Sequence, residues 1–317
     1  MDQGRLERVK TWQQRYVEER KYAGSAVLIH QGGEESFFHA EGKRNLEEGL
    51  PFSRDTMVRI YSMTKPVTSL AIMMLLERAM FHLDAPVSDF IPEFSEMKAL
   101  VPGATAINQT EASRSPTLHE LLTHTSGLSY PFNPGVLPAA MDERELMFKP
   151  RQGSLAAMVA ELASYPLAFQ PGARWEYSVS IYVLGRVVEV VSGKNLGEFF
   201  RSEIFEPLGM QETGFRVPEG VGDRFASLYT PLVGDAMALN SAKSGGDTLR
   251  LTDSYGGSPI ETADMMSAGG GLGGTMEDKM KLTELLRQSG ACEDDFITSA
   301  QTAECMVKMN LPGHRPQ

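Results

Sequence analysis

The chain has 317 residues, 42% hydrophobic and 22% charged, an ordinary globular make-up that can bury a substantial core in one large domain or two modest ones. Its net charge of −11, from 30 Lys and Arg against 41 Asp and Glu, argues against nucleic acid and anionic membrane surfaces as partners. Two cysteines, Cys292 and Cys305, support no disulfide framework and favour a reducing, cytoplasmic setting; no apolar h-region opens the chain, and no run approaches the ~18 apolar residues of a membrane span.

Leu6, Val9, Trp12 and Tyr16 make an apolar helical stripe among charged residues, which predicts a docking helix within residues 1–20. Residues 25–31 read as a strand, Gly32 and Gly33 as a hairpin turn, and 35–40 as the returning strand. A third short strand, 57–61, delivers the chain to a core helix running from Ser62 to about Ala79. A Pro-punctuated connection follows, then a polar excursion over 102–116. A short helix is expected at 117–123, with Gly127 as its left-handed exit. Further helices are expected at 154–164, 181–192 and 195–205, and a loop at 231–259. Thr275 opens a last helix with a Thr-x-x-Asp capping box reaching Asp278. Strands first and helices in the middle predict an α+β protein with a helical insertion. The 18 Met residues suit core packing better than metal ligation.

Ser62-Met63-Thr64-Lys65 is the most informative stretch. It sets a serine hydroxyl one turn ahead of a lysine, the arrangement of a nucleophile activated by lysine rather than histidine. The spacing alone is weak: 25 Ser and 11 Lys in 317 residues predict about one Ser-x-x-Lys by chance, and Ser95 to Lys98 is a second. Context separates them. Ser62 stands where an N-cap would stand, and Pro66 lies in the first turn, where a missing N–H costs least. The segment after it is apolar on almost every face, and the helix dipole there favours an alkoxide or oxyanion. Ser95 instead runs into Pro102-Gly103 and reads as loop.

Tyr177 lies on a loop just before the helix expected from Ile181. Beside a lysine ammonium it is a candidate general base for Ser62, although spacing alone favours a half-buried core tyrosine. His119 and His124 are five apart, which turns them to different sides of a helix, so they read as structural and not as a zinc pair. Gly269 to Gly274 formally matches a dinucleotide fingerprint, but 264–268 is a poor strand; close backbone approach is the better use. There is no G-x-S-x-G and no Walker A sequence.

Five segments now align in order. They are Ser62 to Pro66, Leu121 to Leu128, Phe169 to Gly172 with Tyr177-Ser178, Ile204 to Met210, and Ser267 to Leu272. Together they resemble the serine β-lactamase-related family, nearest to the class C-like carboxylesterases called family VIII esterases. The resemblance implies a β-lactamase/penicillin-binding-protein-like α+β fold, an antiparallel sheet flanked by helices with a helical subdomain. It implies a single domain over 1–317, with 1–61 and about 250–317 in the sheet part and 62–249 mainly helical. By the same resemblance Ser62 is the nucleophile that becomes acylated, and Lys65 and Tyr177 are the coupled base pair. The Ser62 N–H becomes one oxyanion donor. Tyr130 and Val179 are expected beside the substrate, a small-molecule ester, with no metal and no cofactor; homo-oligomerisation is left open.

Two departures carry weight. The β-lactamase Tyr-x-Asn has Val179 at its third position here, which fits esterases better than β-lactamases. The family's third motif, a Lys-Thr-Gly or Trp-Gly-Gly strand, is not met before Gln317, so a truncated product, or one completed by a partner, is an expectation. A β-lactamase, an acyltransferase or a non-catalytic remnant of the same fold are the alternatives to a serine esterase.

Overall fold

Helix α1 (Gln3–Glu18) begins at Asp2, whose carboxylate accepts the Gly4 N–H. In this computed structural model the described residues are 2–143, 153–231, 249–254, 258–262, 265–292 and 295–308. The expected stripe of α1 is corrected at Trp12, which is 41% exposed, while Leu6 and Gln13 are buried. Gln13 can be buried because its amide is satisfied: Nε2 donates to Ser25 Oγ at 2.7 Å and Oε1 lies 3.1 Å from His39 Nδ1. Trp12 sits instead against Tyr16, ring centroids 4.6 Å apart.

Strands β1 (Gly24–Gln31) and β2 (Glu34–Asn45) form the expected hairpin, with Gly32 and Gly33 at φ 67° and 94°, the left-handed conformation a two-residue turn requires. β3 (Leu50–Pro51) adds a third antiparallel strand. β4 shrinks to Val58–Arg59. The expected helix start is corrected too: α2 spans Lys65–Glu77, and Ser62 lies in a preceding 3-10 turn, Tyr61–Thr64. The chain then runs through β5 (Lys98–Leu100), inside the stretch after Ser95 read as loop, and β6 (Thr110–Ala112), inside the expected polar excursion; the two pair antiparallel. Next come α3 (Leu118–Leu122), α4 (Val136–Glu143), α5 (Leu155–Ala163), α6 (Ser180–Ser192) and α7 (Leu196–Phe200), the last running into a π turn, Arg201–Phe205.

α3 carries a full capping box between Thr117 and Glu120. It ends at Thr123, and His124 takes φ 56°. Gly127 is therefore not the cap; a Cβ there would lie 2.3 Å from the Phe169 carbonyl, so close backbone approach requires the glycine. The expected loop over 231–259 contains a paired strand: β7 (Leu228–Pro231) pairs antiparallel with β8 (Leu249–Asp253). The rest of that reading, 232–248 and 255–257, lies outside the described residues. α8 (Pro259–Thr262), β9 (Gly273–Gly274), α9 (Met276–Arg287), β10 (Ala291–Cys292), β11 (Asp295–Phe296) and α10 (Ala300–Val307) complete the order. The Thr275 box is half made: Asp278 N–H donates to Thr275 Oγ1 at 3.4 Å, while the Asp278 carboxylate accepts from Glu212 N–H and Thr213 Oγ1. Among the described residues no helix is long and apolar enough to cross a membrane.

The chain divides into two compact units. One comprises Met1–Arg59, Met210–Thr262 and Gly273–Glu284. Its small core gathers Met57, Phe225 and Ile260, with Val217 and Val221 against them; β4 pairs with β9 there. Residues 210–231, expected with the helices, cluster in this unit. The other comprises Ile60–Gly209, Ala263–Leu272 and Leu285–Gln317. Its core is helical, with Val67, Leu70, Leu118, Leu121, Val183, Leu184 and Phe200 fully buried. α2 lies against α6. Each such buried side chain contributes about 1.5–3 kcal/mol.

Candidate active site

All the site residues named below belong to the second unit. Tyr61 opens the turn at φ 42°, a left-handed conformation that costs a non-glycine residue ~1–2 kcal/mol. The kink precedes α2 and leaves the Ser62 side chain exposed. α2 itself is buried because its sequence is apolar all round, and this brings Lys65 indoors at 8% exposure.

Lys65 Nζ donates to Ser62 Oγ at 3.2 Å and to the Gly269 carbonyl at 2.7 Å. Burial holds its pKa below the ordinary lysine value, against the opposing pull of the Tyr177 phenol. Tyr177 Oη donates to Ser62 Oγ at 2.8 Å. The ammonium lies 4.9 Å from the Tyr177 ring centroid and 5.5 Å from that of Tyr130. Residues 62, 65 and 177, far apart in sequence, thus converge on one oxygen at proton-transfer distance.

The Gly269 carbonyl is placed by a backbone strap along α2. The Ala268 carbonyl accepts from Thr68 Oγ1 at 2.7 Å, Leu272 N–H donates to Thr64 Oγ1 at 3.2 Å, and the Leu272 carbonyl accepts the Ile60 N–H at 3.0 Å. A Cβ on Gly269 would stand 2.3 Å from Cε2 of Tyr182, so the glycine run serves the close approach expected of it.

Tyr177 is held on both sides. Asn133 Nδ2 donates to the Tyr177 carbonyl at 2.9 Å and to Ser129 Oγ at 3.0 Å. His124 Nδ1 accepts the Ser178 N–H at 3.2 Å, and the His124 carbonyl accepts the Glu176 N–H at 2.9 Å. Burial, together with the nearby Lys65 charge, pushes the His124 pKa down to about 4, so the ring is neutral at pH 7 and Nδ1 is free to accept. Tyr130 is buried, its ring centroid 5.2 Å from that of Tyr177 and 4.7 Å from that of Phe132. Burial, helped by its tyrosine neighbours, pushes its phenol pKa up, and the ring forms a wall beside Tyr177. Val179 is corrected as a substrate contact: its side chain is fully buried at the start of α6. Sequence reading missed Asn133, the His124 contact to Ser178 and the Gly269 carbonyl. No spacing rule links partners 44, 54 and 204 residues apart.

The fold, with Ser62, Lys65 and Tyr177 brought together in it, is that of an esterase-like serine hydrolase, as the comparisons bear out. The Beta-lactamase family model matches residues 9–303, and the chain belongs to that family. It is 32% identical over 285 residues to Esterase EstB of Burkholderia gladioli, covering 86% of this chain and 67% of that protein. It is 33% identical over 229 residues to the Lovastatin esterase of Penicillium rubens, covering 69% of this chain and 55% of that one. Among solved structures, EstCE1, described as a hydrolase with promiscuous acyltransferase activity, superposes with a TM-score of 0.74 at 28% identity, covering 94% of this chain and 75% of that one. The chain therefore spans about two thirds of EstB's length.

Proposed function

We propose that the chain cleaves small carboxylic esters through an acyl-enzyme on Ser62. Ser62 Oγ attacks the ester carbonyl while the Lys65 and Tyr177 pair takes its proton. The pair returns the proton to the alcohol as it leaves, and water attacks the acyl-enzyme in a second round. The observation that carries this reading is the double contact on Ser62 Oγ, 2.8 Å from Tyr177 Oη and 3.2 Å from Lys65 Nζ. Val179 at the position of the β-lactamase Asn, its side chain in the core, supports ester over β-lactam substrates. The chemistry asks for no cofactor. Two cysteines are too few for a disulfide framework, which supports a reducing compartment, the cytoplasm.

The test is intact mass after a fluorophosphonate probe, with Ser62→Ala alongside. One adduct on the parent and none on the variant is the expected result; labelling of both would remove Ser62 from the nucleophile role. A second reading, acyl transfer to an alcohol, is supported by the likeness to EstCE1. Added alcohol should then yield a new ester at the expense of free acid, and hydrolysis alone would exclude it.

A further inference from the structure

Glu176 carries a carboxylate turned inward right beside Tyr177. Trp175 before it is exposed, whereas the Glu176 side chain is only 19% exposed and reaches across to the segment 129–133. Its Oε1 accepts the Ser129 hydroxyl at 2.5 Å and Asn133 Nδ2 at 3.4 Å, and its Oε2 accepts Arg174 at 3.1 Å. Its own N–H donates to the His124 carbonyl at 2.9 Å, so its backbone and side chain are tied to different segments.

The inventory of donors shows why an acceptor is needed here. Ser129 is buried, and its oxygen accepts Asn133 Nδ2 at 3.0 Å. Its single O–H then needs an acceptor, and the Glu176 carboxylate is much nearer than the Tyr130 carbonyl at 3.5 Å. A short hydroxyl-to-carboxylate bond of this kind is charge-assisted and strong. Asn133, held by Ser129 and Glu176, donates in turn to the Tyr177 carbonyl at 2.9 Å. That carbonyl and the Ser178 N–H, which His124 Nδ1 accepts at 3.2 Å, belong to one planar peptide unit. Holding both ends of the unit fixes the direction in which the Tyr177 side chain leaves the backbone. The bonds thus run from Glu176 through Ser129 and Asn133 to Tyr177, whose hydroxyl stands 2.8 Å from Ser62 Oγ.

We propose that Glu176 is a positioning residue for Tyr177: its carboxylate holds Ser129 and Asn133 in the orientation that sets the phenol on the Ser62 hydroxyl. The inference rests on the ester-hydrolase reading and adds a residue to it. Glu176 bonds to Ser129, Asn133 and Arg174 rather than to the reacting groups, so it acts through Tyr177. Without the carboxylate, Ser129 and Asn133 turn to other partners and the peptide they hold is free to rotate. A reacting group displaced by about 1 Å costs up to about 10²-fold in rate.

The test reads turnover of p-nitrophenyl acetate and fluorophosphonate labelling of Ser62 in the whole chain. Glu176→Ala should lower kcat/KM and the labelling rate about 10²-fold. Glu176→Gln keeps an acceptor facing Ser129 and should stay within about fivefold of the parent. Arg174→Ala, which removes only an exposed ion pair, should stay within about twofold. The double-mutant cycle decides: in a Tyr177→Phe background, Glu176→Ala should slow labelling no further, because the group it positions is gone. Circular dichroism establishes that each variant folds, and if Glu176→Ala does not, Ser129→Ala takes its place in the same cycle. The proposal is overturned, and the esterase reading left standing, by an equal loss in both backgrounds or by a near-parent rate in the folded alanine variant. A glutamine variant as slow as the alanine one, or the same loss in Arg174→Ala, overturns it as well. If labelling survives Ser62→Ala the esterase reading itself falls, and if it is indifferent to Tyr177→Phe alone the base assignment falls; either takes the positioning role with it.

Discussion

At Lys65 two demands meet on one side chain. As the proposed base it has to lose its charge to take a proton, yet it is hydrogen-bonded to the Gly269 carbonyl as a donor. Burial resolves this by favouring the neutral amine, which still donates. Because the base works deprotonated, kcat/KM should rise with pH and level off above an apparent pKa below the ordinary lysine value of about 10.4. Stopped-flow acylation across pH 6–10 checks it; a limb at or above the ordinary value sinks the assignment. Lys65→Arg should not rescue, since guanidinium does not deprotonate. Tyr177→Phe removes the hydroxyl 2.8 Å from Ser62 Oγ and should slow fluorophosphonate labelling about 10²–10⁴-fold; near-parent rates would assign the proton to another group. At this scale the sequence was legible where chemistry is local. Ser62 and Lys65 are three residues apart and share a helix turn. Val179 was misread because neighbours in sequence can turn opposite ways: Tyr177 faces Ser62 from a loop, while Val179 already belongs to the buried start of α6.

Among the elements, the strap over 268–272 decides where the lysine points. It fits only because two positions lack a side chain. A Cβ at Gly185 of α6 would come 2.4 Å from Ala268 Cβ, and one at Gly269 would come 2.3 Å from the Tyr182 ring. Gly269→Ala should therefore push the strap off α2, cost about 1–3 kcal/mol by overpacking, and slow labelling of Ser62. Melting temperature and labelling rate should fall together. A stable protein with full labelling would show that the carbonyl does not position Lys65. The element boundaries expected from sequence were nearest for α5 and α6, where apolar periodicity is strong. They failed at Ser62, because an N-cap rule assumes the helix starts where its apolar run starts, whereas here a 3-10 turn with a left-handed Tyr61 intervenes.

For the whole molecule, His124 ties folding to pH. Its pKa is about 4 when folded and about 6.5 in an unfolded chain, so the unfolded state binds the proton more readily. The penalty is absent above pH 6.5 or so, grows as pH falls through the window, and is complete below about pH 4, where it amounts to about 3 kcal/mol. Urea titrations at pH 7 and pH 4.5 should show most of this loss, and His124→Gln, which retains an acceptor, should show a smaller one. Equal losses in both would exclude His124 as the source. Sequence by itself determined the family and the α+β class and singled out Ser62 and Lys65 as the candidate pair, because these depend on residue type, short spacing and the order of motifs. Tertiary structure alone decided what surrounds them: the Gly269 carbonyl on Lys65, Asn133 and His124 behind Tyr177, and the Glu176 carboxylate on Ser129. Those contacts join segments 44 to 204 residues apart, and only close packing of the buried helices fixes which backbone groups meet.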